Sequence, residues 1–174
     1  MTNDNNMTGA ELQTMREACH LSRDDLAGLV GVQARTVKHW ENGRSGVPAD
    51  VAEMVARLDA MATRAAAQAL EDWRALGLAI DLVLIRYRNA ADMPIKMRKD
   101  YDGLGAWIQP AIVARMRAAA LAQGVRVRVI WMAPDEYNNW RAGRVLDDDS
   151  ARACWAFGAL LQQAMPHRAD QPPG

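Results

Sequence analysis

The chain has 174 residues, half of them hydrophobic, and 21 Lys and Arg balance 21 Asp and Glu. That length holds one or two small domains with a real core, and the even charge argues against a protein that binds polyanions indiscriminately. No apolar run reaches the ~18 residues of a membrane span.

The opening stretch MTNDNNMTGA lacks both the basic and the apolar part of a secretion signal and reads as a disordered tail over residues 1–7. Cys19 and Cys154 are far apart in the sequence, which fits a reducing cytoplasm better than a disulfide scaffold. Cys19-His20 has no second pair, and His39 and His167 stand alone, so neither a metal nor a cofactor is expected.

Thr8 is a good cap for a first helix, with Glu11 three residues on to complete a capping box, and Leu12 and Met15 begin its buried stripe. Ser22 caps a second helix whose first turn holds Asp25; Leu26, Ala27 and Val30 face inward. Ala27 is small where two helices must approach closely. Gly31 can take the left-handed conformation that ends a helix, and Val32 is expected to tuck under the turn. A third helix follows. Val37 and Trp40, three apart, form its core face, while Gln33, Arg35, Thr36, Lys38 and His39 occupy the other face. Asn42-Gly43 stops it. The polar side chains can donate to phosphates or read base edges in a major groove. Gln33, Arg35, Thr36 and His39 are the base-reading candidates, and Lys38, Arg44 and Ser45 suit phosphates. Residues 1–58 carry six Lys and Arg against eight Asp and Glu, so positive charge is local, with Arg35, Lys38 and Arg44 set against Glu41 alone.

Val47-Pro48 opens the next helix, with Pro48 at its first position. Its apolar stripe runs through Met54, Val55, Leu58, Met61, Ala62, Ala65, Ala69, Trp73 and Leu76, as one long helix or two joined near Leu58-Asp59. The stripe reads as packing, with a partner subunit as one candidate for what it packs against. Gly77 ends it.

Residues 80–88, IDLVLIRYR, form a β-branched run and predict a strand. Residues 89–105 read as a loop with at most short elements. Residues 108–123 predict a helix with Pro110 in its first turn. Residues 125–132, VRVRVIWM, alternate Val125, Val127, Val129 and Trp131 with Arg126 and Arg128, as a half-buried strand does. Strand, helix and strand permit a right-handed parallel crossover. Residues 134–143 read as a short helical turn. Asp147, Asp148 and Asp149 precede a last helix over residues 150–165, where cap and dipole roles outweigh a metal reading. A disordered tail is expected over 166–174.

The runs LSRDDLAGLVGV (21–32) and ARTVKHWENG (34–43) carry a resemblance: residues 8–58 are similar to the Cro/repressor-type (XRE) helix-turn-helix family. The run ARTVKHWENGRSGVPADV (34–51) also resembles the anti-CRISPR-associated (Aca) autorepressors of phages and mobile elements. The first resemblance implies a phosphate contact at the position of Arg23. The second implies pairing of two copies through the part after the DNA-binding domain.

The expected fold class is α+β. A helix-turn-helix domain of four to five helices over 8–58, its core Leu26, Ala27, Val32, Val37 and Trp40, is joined by a connecting helix (59–79) to a small α/β dimerisation domain over 80–165 with two or three strands. The expected function is a cytoplasmic, non-enzymatic, sequence-specific repressor. It binds double-stranded operator DNA as a homodimer joined beyond Leu58, on an inverted repeat, and regulates its own operon. An antitoxin that binds operator DNA and a toxin is the alternative. An enzyme finds little support, because no glycine-rich phosphate loop, Ser/His/Asp or Cys/His grouping, or H-E-x-x-H is present.

Overall fold

A computed structural model describes residues 7–75, 77, 81–99, 103–143 and 146–164. Except for Met7, both tails expected to be disordered lie outside the described residues, as do Leu76, Ile80 and Met165. The fold is α+β, helical at the N-terminus with a small two-stranded sheet after it.

Helices α1 (Gly9–Ala18), α2 (Arg23–Val30) and α3 (Ala34–Glu41) form where the caps direct them. Thr8 and Glu11 make a reciprocal capping box, and Ser22 and Asp25 make a second one. Thr8's amide and hydroxyl also hold the Glu11 carboxyl below its usual pKa. Gly31 takes φ +72° and ends α2. Leu12, Leu26, Ala27, Val37, Trp40, Val47, Val51 and Val55 close one core around these helices.

Helix α4 (Ala49–Ala75) is a single helix of 27 residues, roughly 40 Å long, beginning one residue after Pro48. Residue 58 therefore lies within a continuous helix. Its buried stripe is Val51, Val55, Leu58, Met61, Ala62, Ala66 and Leu70, and past residue 48 it packs mainly on α6 (Gly105–Ala122). Met61 and Ala62, for which a partner subunit is one candidate, thus meet this chain's own Ile108 and Ala111. The same cluster includes Cys19 and Leu21 from the corner between α1 and α2, so the N-terminal helices and α6 share one core. Burial pushes the Cys19 thiol pKa up, and Asp59, paired with Arg115 of α6, adds to the shift.

Strands β1 (Leu82–Arg86) and β2 (Val127–Trp131) pair in parallel, Leu82 opposite Val127 and Arg86 opposite Trp131, with α6 as the crossover. One sheet face, through Leu82, Leu84 and Val127, meets Ala66, Leu70, Val113 and Met116 of α4 and α6. The other, through Val83, Ile85 and Ile130, meets Tyr137 of α7 (Pro134–Arg141) and Trp155 of α8 (Asp149–Ala164). A 3₁₀ turn (Ala90–Asp92) and the short helix α5 (Ile95–Lys99) lie within the expected loop.

Three expectations fail. Val32 does not tuck under the turn and is 37% exposed: its amide donates to the Ala27 carbonyl (2.9 Å), so the backbone closes back on α2 while the side chain stays outside. Helix α6 begins three residues before the expected start, and Pro110 lies in its interior, because burial of Ile108 against Cys19 and Leu58 winds the preceding turn into the helix. Strand β2 does not bury its alternate residues: Val129 is 40% and Trp131 49% exposed, since helix packing covers that face only as far as Val127.

The three aspartates at the start of α8 divide their work. Asp148 accepts from the Ala151 amide (2.8 Å) as a cap does. Asp147 instead accepts two hydrogen bonds from buried Arg152 (2.8 and 3.0 Å) and one from the Tyr137 hydroxyl (2.9 Å). The side chain of Asp149 lies outside the described residues.

Candidate nucleic-acid interface

Helix α3 divides cleanly. Val37, Trp40 and Glu41 are buried; Arg35 and Lys38 are exposed; Thr36 and His39 are half-buried. Gln33 is the N-cap residue, exposed and with no capping bond from its side chain. Arg44 and Ser45 are exposed just past the helix.

Among these residues Arg35, Lys38, His39 and Arg44 line one surface depression of about 740 Å³, with Arg23 of α2 on its wall. Gln33, Thr36 and Ser45 lie outside that lining. Arg16, Glu17, Ser22, Asp24 and Ala34 complete it. Five Arg or Lys side chains therefore converge on it, with Glu17 and Asp24 as the lining acids. A duplex phosphate can enter so open and positive a surface, and α3 presents the donors that base edges require.

Arg16 and Arg23 of the lining belong to an ion network that short-range sequence patterns do not show. The Glu41 side chain is fully buried. It accepts from Arg16 Nε at 2.6 Å and from Arg23 Nε at 2.5 Å. Arg16, itself 7% exposed, also donates to the Leu21 carbonyl (2.6 Å) and to Glu17 (3.3 Å). Two guanidiniums thus neutralise the one acid of α3, and the exposed charges of that helix are left wholly positive. Arg23 is 40% exposed and shares its Nε proton with Glu41, which fixes its direction beside the depression. One sequence signal for this network exists: Arg16 falls four residues after Leu12, on the buried stripe of α1, where a charge requires a partner.

Gly9 sets the position of α3 from the other side. A β-carbon there would run into the carbonyl oxygens of Trp40 and Glu41, so the start of α1 crosses the end of α3 at backbone distance.

No group of three or more His, Cys, Asp or Glu that could hold a metal occurs among the described residues. No helix among them is long and apolar enough to cross a membrane. No curated protein matches the chain. Residues 8–70, from the Thr8 cap through most of α4, match the family model of a helix-turn-helix domain, and the depression beside α3 lies on the part of the chain that is similar to this DNA-binding module.

Proposed function

We propose that the chain is a sequence-specific transcriptional repressor that binds an inverted-repeat operator as a dimer and regulates its own operon in a phage or mobile element. The observation that carries this reading is the gathering of Arg35, Lys38, His39, Arg44 and Arg23 at one depression, with the only acid of α3 buried and paired. In this reading α3 lies in the major groove and α2 braces the backbone. Arg35 reads a base, with Gln33, Thr36 and His39 as further readers, and Arg23, Lys38, Arg44 and Ser45 hold phosphates.

Dimerisation through the part after residue 58 is supported by where apolar surface remains. Among the described residues, Val32 is the only large hydrophobic side chain before residue 58 that is exposed. Beyond it Trp107, Leu121, Trp140, Leu146 and Leu161 are all exposed by 36% or more. A second copy is the cover this reading gives them, and it also supplies the second half-site reader that specificity needs.

The test is selection of binding sequences from a random duplex library by the full chain, with light scattering on the bound and free protein. An inverted repeat with half-site centres about one helical turn apart, or a small multiple, bound by two chains, is expected. Failure to enrich any sequence refutes the reading.

A further inference from the structure

The sheet ends on a cationic surface that the helix-turn-helix does not use. Arg86 is the last residue of β1 and is paired in register with Trp131, the last of β2, so both side chains leave the same face. The Arg86 guanidinium lies 5.7 Å and that of Arg88 5.1 Å from the centre of the Trp131 ring. Trp131 is 49% exposed, and Arg88 is exposed. Neither arginine has a carboxylate partner among the described residues, and Arg86 Nε is buried without a hydrogen-bond partner. Stacking on an indole holds a guanidinium in place while its N–H edge stays free for a bidentate anion. The described residues that follow, to Lys99, add Lys96, Arg98 and Lys99 against Asp92 alone; Asp100 and Asp102 come next in the sequence, outside the described residues.

Helix α6 links this end of the sheet to the helix-turn-helix. Gln109 donates to the Ile85 carbonyl (2.8 Å), which ties the first half of α6 to the end of β1. Its neighbours Ile108 and Ala111 pack on Cys19 and Leu21, and Ser22, next in the chain, lines the depression beside α3.

We infer that Arg88, with Arg86 and the Trp131 ring, is a second DNA-binding element, which takes the phosphate backbone of duplex flanking the operator half-site. The inference rests on the DNA-binding reading above. Duplex DNA is the occupant the charges favour. A second copy laid isologously with this patch on the two-fold axis would bring two sets of arginines without carboxylate partners together, and like charges repel.

The test uses the full chain, an operator obtained by the selection above, and two duplexes: one trimmed to the half-sites and one extended by ten base pairs on each side. Binding is measured across a salt series for the parent, Arg88→Gln and Arg88→Lys, with melting temperatures recorded for all three. On the long duplex Arg88→Gln should lower the slope of log K against log salt by about 0.9 per protomer. Arg88→Lys should restore it, and the trimmed duplex should show no difference. Equal slopes for parent and Arg88→Gln on the long duplex overturn the inference. A loss of equal size on both duplexes overturns it too, because the residue then acts through folding or assembly. If the selection enriches no operator, the DNA-binding reading itself fails, and that failure is distinct from equal slopes on a selected one.

Discussion

Glu41→Ala is expected to damage the helix-turn-helix by stranding a buried charge. The Arg16 side chain is 7% exposed and keeps the Leu21 carbonyl and the exposed Glu17 as partners, but loses the carboxylate at 2.6 Å. Removing one member of a buried ion pair typically costs 3–5 kcal/mol. The surviving bonds of Arg16, and Arg23's access to solvent, place this case near the lower end, at about 3 kcal/mol. For a chain of this size that corresponds to a fall in melting temperature of roughly 6–12 °C. Glu41→Gln keeps the shape and one acceptor and should cost about 1–2 kcal/mol. Replacing the pair together, Arg16→Met with Glu41→Leu, should recover most of the loss, because no buried charge is then left unpaired. Urea denaturation of the four proteins measures these differences. A Glu41→Ala protein as stable as the parent, or a double variant no better than the single one, refutes the network as a support of the domain.

Trp40 is 6% exposed in the core of α3, and Trp40→Ala should cost about 3–5 kcal/mol in chemical denaturation; a variant that melts like the parent but no longer binds DNA would place the ring at the interface instead. Gly9→Ala should cost about 1–3 kcal/mol, because the methyl meets the carbonyls of Trp40 and Glu41 and the crossing of α1 over α3 must open; an unchanged urea midpoint would contradict that crossing. The Asp147 carboxyl is held below the usual range by its hydrogen bonds from Arg152, so its folded pKa lies below the unfolded one; the stability it adds is present above about pH 4 and is lost as pH falls through the folded value. Tyr137 is pushed up to about 12 by burial and by its bond to Asp147, so its share is present below about pH 10 and lost as pH rises through 12. Asp147→Asn should therefore show its largest stability deficit at neutral pH, shrinking below pH 4, with one of the three tyrosines of the parent ionising late in an absorbance titration; a deficit constant with pH would contradict this.

What was legible in the sequence was local. Thr8 with Glu11, Ser22 with Asp25, and Gly31 each fix a helix end within a few residues, and all three appear as the residue types require. The strand, helix and strand of the second half were legible for the same reason, since β-branched runs and an alanine-rich stripe differ in period. What escaped depends on pairings distant along the chain. Glu41 meets Arg23 and Arg16 across 18 and 25 positions, and nothing within α3 marks Glu41 as buried except its place four residues after Val37. The alternation of β2 promised burial for Val129 and Trp131, but a two-stranded sheet leaves its last strand open, and the helix cover stops at Val127. The α4 stripe is buried as expected through Val55, Leu58, Met61 and Ala62, but beyond them the buried residues are Ala66 and Leu70, while Ala65, Ala69 and Trp73 are half-buried; that its partner is α6, rather than a second chain, follows from the shared cluster of Met61 with Ile108 and from nothing in α4 itself.

Whether the exposed face of α3 reads DNA sequence, as proposed, is tested most closely by the affinity and base preference of Arg35→Ala on the selected operator. Arg35 is exposed on the wall of the depression and has no part in the core, so the variant should melt like the parent. A loss of about 1–3 kcal/mol in specific binding, roughly 5- to 150-fold, is expected, with relaxed preference at one base position in each half-site. A folded Arg35→Ala protein that binds the same operator with unchanged affinity and unchanged preference at every position would contradict it.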